Sequence, residues 1–401
     1  MIKVRVGDFK LGELEKKAIN EVLDSGRLSE GLKVREFEKE WAKFVGTKYC
    51  VAVSSGTSAL ICGLESLKYR YPTTKNKVIT SPLTYISTAN AIKLSGYEPL
   101  FVDINTHDFS IIPEEIDKLL STRDDVCGII PVHLMGYPCD MNNINLIAKK
   151  YGIWVFEDSA EAHGSKYNGK ITGSIGELGA FSFYIAHNIQ AGEMGAITTD
   201  DKEIYRLCKK IKANGRECDC DVCLRSEGNC PKLNMGCGDK DPRFSHDIIG
   251  YNFKLMEFQA ALGLTQLSKV EEILSNRREN VKFLNDNLKE LEEFLQLPIY
   301  DENISYLAYP IVLKGLERRE VRKRLEKDGI ETRPLFGCIP TQQKAYEYLK
   351  QQYRGKLPNA EYVGNNGFYI GCHQYLNKKD LIDIVNIMKD VIRYEAVEKY
   401  Y

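Results

Sequence analysis

The chain has no excess of either charge. Its 55 lysines and arginines face 56 aspartates and glutamates, a formal net charge of -1. That removes the electrostatic case for a nucleic-acid partner or an anionic membrane surface. No apolar run approaches the ~20 residues that span a bilayer. The opening Met1-Ile2-Lys3-Val4-Arg5-Val6 alternates charge where a secretory leader would carry an apolar core. Internal repeats and low-complexity segments are also absent. The expectation is a cytoplasmic protein with no membrane and no nucleic-acid partner. At 401 residues, 43% hydrophobic and 28% charged, the chain is long enough for one large domain and a smaller one around sizeable cores.

One residue type is abundant. There are 12 cysteines, and Cys218, Cys220, Cys223, Cys230 and Cys237 fall within one short stretch. In a reducing compartment such a cluster points to a metal site before disulfides. The other seven are scattered and read as core thiols.

Two amphipathic helices open the chain, with Leu11, Leu14, Ala18, Val22 and then Val34, Phe37, Trp41, Phe44 at helical spacing. From residue 48 short apolar runs alternate with helix-like segments: Tyr49–Val53, Val78–Thr80, Pro99–Val102, Gly128–Val132, Ile153–Phe156, Ala180–Tyr184 and Ala196–Thr198. Such runs predict strands buried on both faces, in a mainly parallel sheet covered by helices. This large α/β domain is expected to cover residues 1–250, with a cysteine-rich insertion at 217–245. A smaller α+β domain, 251–401, would hold a charged helix over Ser268–Phe294, a strand at Leu307–Leu313, and helices at Arg319–Asp328 and Lys379–Glu395.

Three segments carry chemistry. Ser54-Ser55-Gly56-Thr57-Ser58 places a glycine turn and small hydroxyls between a strand and a helix. A helix N-terminus offers unpaired N–H groups and a positive dipole end, so this is either an anion cradle or an ordinary capped helix start. The strand 152–156 delivers Glu157-Asp158 to the crevice where α/β folds bind ligands. The next strand leads into Ser182-Phe183-Tyr184-Ile185-Ala186-His187 and Gly192-Glu193-Met194-Gly195.

With Ser81-Pro82-Leu83-Thr84-Tyr85, Phe101-Val102-Asp103, Pro131-Val132-His133-Leu134-Met135-Gly136, Gly250-Tyr251-Asn252-Phe253-Lys254 and Thr332-Arg333-Pro334, this order resembles the DegT/DnrJ/EryC1/StrS family of sugar aminotransferases along nearly the whole chain. The resemblance implies the pyridoxal-phosphate (PLP) aspartate aminotransferase-like fold, fold type I. It implies that Gly56, Thr57, Ser58, Ser182 and the Asn252 of a neighbouring subunit hold the cofactor phosphate, in a homodimer. Asp158 would hold the pyridine nitrogen and keep the ring an electron sink. Tyr85 would stack on the ring, Glu161 would add a polar ring contact, and Arg333 would meet the substrate. His133 and His163 read as structural.

The departure is His187, where the aminotransferases keep lysine. Histidine cannot form the lysine's Schiff base, but it can be a general base near neutral pH. The cofactor would then be held non-covalently as pyridoxamine phosphate (PMP). His187 would take a proton from its C4′, and the hydroxyl at C3 of a nucleotide-linked 4-keto-6-deoxy sugar would leave. The expected activity is 3-dehydration in deoxysugar biosynthesis. A cofactor-binding protein without catalysis is the reading of a different class.

Two branches of the family carry histidine here. GDP-4-keto-6-deoxymannose 3-dehydratases use no metal and recycle the cofactor with glutamate. CDP-4-keto-6-deoxyglucose 3-dehydrases hold a [2Fe-2S] cluster fed by an iron-sulfur flavoprotein reductase. Gly215-Arg216-Glu217-Cys218-Asp219-Cys220 followed by Cys223, and Tyr369-Ile370-Gly371, resemble the second branch. The spacing to Cys230 is longer than in that branch, and Ser159-Ala160 stand where it carries an upstream cysteine. A cluster on Cys218, Cys220, Cys230 and one of Cys223 or Cys237, a structural zinc, or no metal are the three readings of these thiols.

Overall fold

The structure is a computed structural model and describes residues 2–218, 220 and 244–398. Cys223, Cys230 and Cys237 lie outside them. Helices α1 (Glu13–Asp24) and α2 (Leu32–Val45) form where the apolar spacing places them. In α2, Val34, Phe37, Trp41 and Val45 point into a core, and Gly46 ends the helix in the left-handed region at φ 88°.

The large sheet is built from β1 (Tyr49–Val53), β2 (Lys77–Thr80), β3 (Glu98–Phe101), β4 (Val126–Ile130) and β5 (Trp154–Asp158). After a short hairpin of β6 (Lys166–Tyr167) and β7 (Lys170–Ile171) come β8 (Leu178–Ser182) and β9 (Gly195–Thr199). These seven large-sheet strands stand in the order β1-β9-β8-β5-β4-β2-β3. Neighbours pair in parallel from β8 through β3, while β9 runs antiparallel to both of its neighbours. Every residue of β4 and of β5 is buried. That is why these segments carry unbroken apolar runs instead of alternating ones.

Helices α3 (Gly56–Arg70), α4 (Ser87–Leu94), α5 (Pro113–Leu120), α6 (Met141–Tyr151) and α7 (Lys202–Ile211) follow their strands. Leu60, Leu64 and Leu67 of α3 and Ile204, Leu207 and Ile211 of α7 cover one face. Ile116, Leu120, Ile144 and Ala148 of α5 and α6 cover the other.

The predicted charged helix is shorter than its sequence pattern. Here α8 (Glu257–Leu267) ends at Ser268, α9 runs Val270–Leu288, and a 3-10 turn closes it at 289–291. A second, antiparallel sheet follows, β10 (Leu295–Gln296), β11 (Tyr309–Leu313), β12 (Arg333–Pro334) and β13 (Gly367–Ile370), in the order β10-β11-β13-β12. Helix α10 (Arg318–Lys327) and the terminal helix Lys378–Glu398 pack with it. Val4 and Val6 join this second core, and Val4 bridges Ile330. Val4 and Val6 therefore pack into the second core before the chain enters the large sheet.

Candidate active site

Strands β1, β2, β4, β5 and β8 all end on one edge of the large sheet. The segments that follow them carry Gly56, Tyr85, His133, Glu161 and His187.

The cradle forms at the start of α3. Ser55 is its N-cap and accepts a bond from the Ser58 amide at 3.1 Å, while Ser58 Oγ bonds Ser54 and Ser55 hydroxyls at 3.0 and 2.8 Å. As the first two helical residues, Gly56 and Thr57 have amides with no intrahelical acceptor. A Cβ on Gly56 would stand 2.5 Å from Ser182 Cβ. Glycine is therefore what lets the end of β8 approach the helix start and bring the Ser182 hydroxyl to the same place.

Successive strand residues face opposite sides, and this separates Glu157 from Asp158. Glu157 faces the protein interior. Its oxygens accept from the amides of Gly173, Ile175 and Gly176 and bond His133 Nε2 at 3.0 Å. His133 Nδ1 accepts from the Cys139 amide, so the ring is held at both nitrogens and is structural. Asp158 is buried at the crevice. Its Oδ2 accepts from Thr88 Oγ1 at 2.7 Å and its Oδ1 from the Ala160 amide at 3.2 Å. Burial raises its pKa, against the pull of these two donors. A buried carboxylate with two neutral donors is a built receptor for a cationic N–H.

Glu161, also buried, accepts from the Met135 amide at 2.9 Å. Burial pushes its pKa up to about 8, so it is protonated at neutral pH and can itself donate. Met135 holds φ 57° to deliver that amide, a conformation that costs ~1–3 kcal/mol in a non-glycine residue and clusters at functional sites. Gly136 follows at φ 96°, where a Cβ would strike the Ser305 carbonyl at 2.1 Å.

His187 lies in the loop after β8, and its ring is half-buried. Its Nδ1 is 2.7 Å from the Ser182 carbonyl oxygen. A carbonyl only accepts, so Nδ1 carries the proton and Nε2 keeps its lone pair. Burial pushes its pKa down to about 4, with Arg277 and Arg333 adding to the shift. The imidazole is therefore neutral near pH 7, with the lone pair on Nε2. His163 packs edge-on against it, ring centroids 6.1 Å apart, and is fully buried among Trp41, Phe181 and Phe183. It is a wall of the site.

Among the described residues, the side chains of three predicted residues make no hydrogen bond to this group. Tyr85 is exposed, its ring 5.8 Å from Phe336, and its carbonyl accepts from Thr88. Arg333 is bonded to Glu331 at 3.2 and 3.3 Å, opposite Tyr369 on β13. Asn252 is exposed, and among the described residues its side chain bonds none of the cradle residues. Cys218 and Cys220 are half-buried, whereas the seven scattered cysteines are all buried. Among the described residues no group of three or more metal-ligating side chains occurs.

The sequence reading missed Thr88, which lies three residues beyond Tyr85, just outside the motif that carries the resemblance. It also missed Arg277, for which no signal stood out: within Arg277-Arg278-Glu279 it looks like a solvated face.

A sequence profile of the DegT/DnrJ/EryC1/StrS aminotransferase family matches residues 10–389. The chain belongs to that family. It is 32% identical over 372 residues to the GDP-perosamine synthase of Escherichia coli O157:H7, covering 92% of this chain and 93% of that one. It is 31% identical over 397 residues to the dTDP-4-dehydro-2,6-dideoxy-D-glucose 3-dehydratase of Saccharopolyspora spinosa, covering 95% and 85%. The solved E. coli GDP-4-keto-6-deoxy-D-mannose-3-dehydratase with bound hydrated PLP superposes with a TM-score of 0.85 at 29% identity, over 98% of this chain and all of that one. The fold is thus that of the PLP aminotransferases, as the motifs implied. The relatives' names divide between amination and dehydration, so the family alone does not choose the reaction.

Proposed function

We propose that this chain is a PLP/PMP-dependent 3-dehydratase of a nucleotide-linked 4-keto-6-deoxy sugar. The observation that carries the reading is the fixed tautomer of His187: Nδ1–H donates to Ser182, leaving Nε2 as a neutral base where an aminotransferase would place a lysine amine. The cradle fits the cofactor. Gly56, Thr57, Ser58 and Ser182 would take the phosphate, Asp158 the pyridine nitrogen and Tyr85 a ring face, with protonated Glu161 donating to a ring oxygen. When bound in its amine form, the cofactor supplies an amine for the sugar ketone and an electron sink. Nε2 of His187 would accept the C4′ proton, and the electron pair of that C–H bond would expel the C3 hydroxyl of the sugar. Arg333, turned from Glu331, would meet the sugar nucleotide.

Asn252, exposed and unbonded to its own cradle, would complete the cradle of a second copy in a homodimer. Exposed Tyr85, Ile249 and Met256 are apolar surface that a second copy would cover.

For the return of the cofactor to its amine form, sequence order supports a [2Fe-2S] cluster on Cys218, Cys220, Cys230 and Cys223 or Cys237, served by a reductase. The half-buried setting of Cys218 and Cys220, unlike the buried core thiols, fits ligation. The metal-free scheme, with glutamate as amino donor, is favoured by the full-length similarity to the GDP-4-keto-6-deoxymannose enzyme. Incubation of PMP-loaded protein with CDP-, dTDP- and GDP-linked 4-keto-6-deoxyhexoses, with glutamate or with reductase and NAD(P)H, tests both levels. A 3-deoxy product supports the activity, and a 4-amino sugar retaining its 3-hydroxyl overturns it. Iron content and reductase dependence support the cluster. Full glutamate-driven turnover by metal-free protein overturns it.

A further inference from the structure

Arg277 projects from the middle of α9 and is fully buried. An isolated buried charge is costly unless it is paired and hydrogen-bonded. Among the described residues its acceptors are nevertheless neutral. Nη1 donates to the carbonyls of Leu307 at 2.7 Å and Tyr306 at 3.3 Å, Nη2 to the carbonyl of His187 at 3.4 Å, and Nε to Gln374 Oε1 at 3.1 Å. The Cys372 thiol adjoins it. The guanidinium therefore links the loop of the base to the chain entering β11 and to the segment after β13. The next residue, Asn188, repeats the link through its Nδ2, which donates to Ser305 Oγ at 2.9 Å and the Tyr306 carbonyl at 3.0 Å. Gln190 Nε2 also donates to the His187 carbonyl at 3.0 Å.

We propose that Arg277 is a positioning residue for His187, clamping its backbone between the two sheets while its fixed positive charge adds to the effect of burial on the ring. This rests on the dehydratase reading for its purpose, but not for its measurement. The groups facing the His187 ring are Arg277 from α9, Arg333 from β12, His163 from the loop after β5 and Tyr184 from its own loop. None is an acid, and the two permanent charges are both positive. Burial is the largest opposition to protonation of the ring, and these two positive charges add to it. The clamp and the charge separate by substitution: lysine keeps the charge but loses the planar fork that reaches carbonyls of two segments together.

The test is a 15N histidine titration by NMR on the full-length protein without substrate. In Arg277→Gln the pKa of His187 should rise by roughly one unit or more as a nearby positive charge is removed. In Arg277→Lys it should stay near the wild-type value. His373, whose low pKa also has Arg277 among its causes, should rise in the same Gln variant and serves as an internal reporter. With PMP and sugar nucleotide, Arg277→Lys should lower kcat at least ~10-fold with KM little changed, because a displaced base loses the chemical step and not the binding. An unshifted His187 in Arg277→Gln, or wild-type kcat in Arg277→Lys, overturns the proposal. If Arg277→Gln does not fold, Arg277→Lys with Asn188→Ala decides the clamp, since both loosen the same carbonyls. Failure of the dehydratase reading would appear as no 3-deoxy product with the titration result intact.

Discussion

Thr88 Oγ1 donates to Asp158 Oδ2 at 2.7 Å in a fully buried pair that spans α4 and the end of β5. This bond orients the carboxylate proposed to bind the cofactor nitrogen. Thr88→Val keeps the shape and removes the donor. Losing a bond to a charged group costs ~1.5–3 kcal/mol, so cofactor affinity in a fluorescence titration should fall by roughly tenfold or more. Unchanged affinity would place the nitrogen contact elsewhere.

Gly56→Ala puts a methyl 2.5 Å from Ser182 Cβ. Overpacking of this kind costs ~1–3 kcal/mol, and here it also parts the two sides of the cradle. Thermal melts should show a lower Tm without cofactor, and less added stability on PLP addition than wild type. A normal PLP-induced rise in Tm would argue against a phosphate seat at this turn.

The cofactor should be held without a covalent bond. After borohydride treatment of PLP-loaded protein, intact mass spectrometry should show the unmodified chain. A pyridoxyl adduct on any lysine would mean that an amine has taken the role assigned to His187.

Stability should depend on pH with a definite sign. His187 and His373 both have pKa values pushed down to about 4 from 6.5, chiefly by burial. Between these values the unfolded chain binds protons that the folded chain does not. The contribution of these two rings to stability is therefore full above pH 6.5 and is lost as pH falls toward 4. Urea unfolding across that window should show this slope, and His187→Asn should reduce it. An unchanged slope in His187→Asn would mean that this ring keeps its ordinary pKa on folding.

Much of this architecture was legible in the sequence, because β4 and β5 are buried throughout and so carry unbroken apolar runs. The cradle was legible because a strand, a glycine and small hydroxyls at a helix start form a local pattern. Long-range facts were not. Nothing local says that Glu157 binds three backbone amides and a histidine while its neighbour Asp158 faces the crevice; pairing with β8 and the 173–176 turn decides it. Arg277 sits in a charged helix like a surface residue, and only the packing of α9 against two loops buries it. The helix expected over 268–294 begins close to α9 at Val270, whereas α8, over Glu257–Leu267, was not anticipated.

The measurement closest to the central claim uses PMP deuterated at C4′, an anaerobic single turnover with the 4-keto-6-deoxy sugar nucleotide, and mass analysis of cofactor and product. Wild type should lose the C4′ deuterium to solvent as the sugar loses water, with a primary isotope effect. His187→Asn should bind PMP normally yet do both at least ~10²-fold more slowly, the scale of a lost general base. Equal deuterium loss and dehydration in His187→Asn would contradict the assignment of His187 as the base.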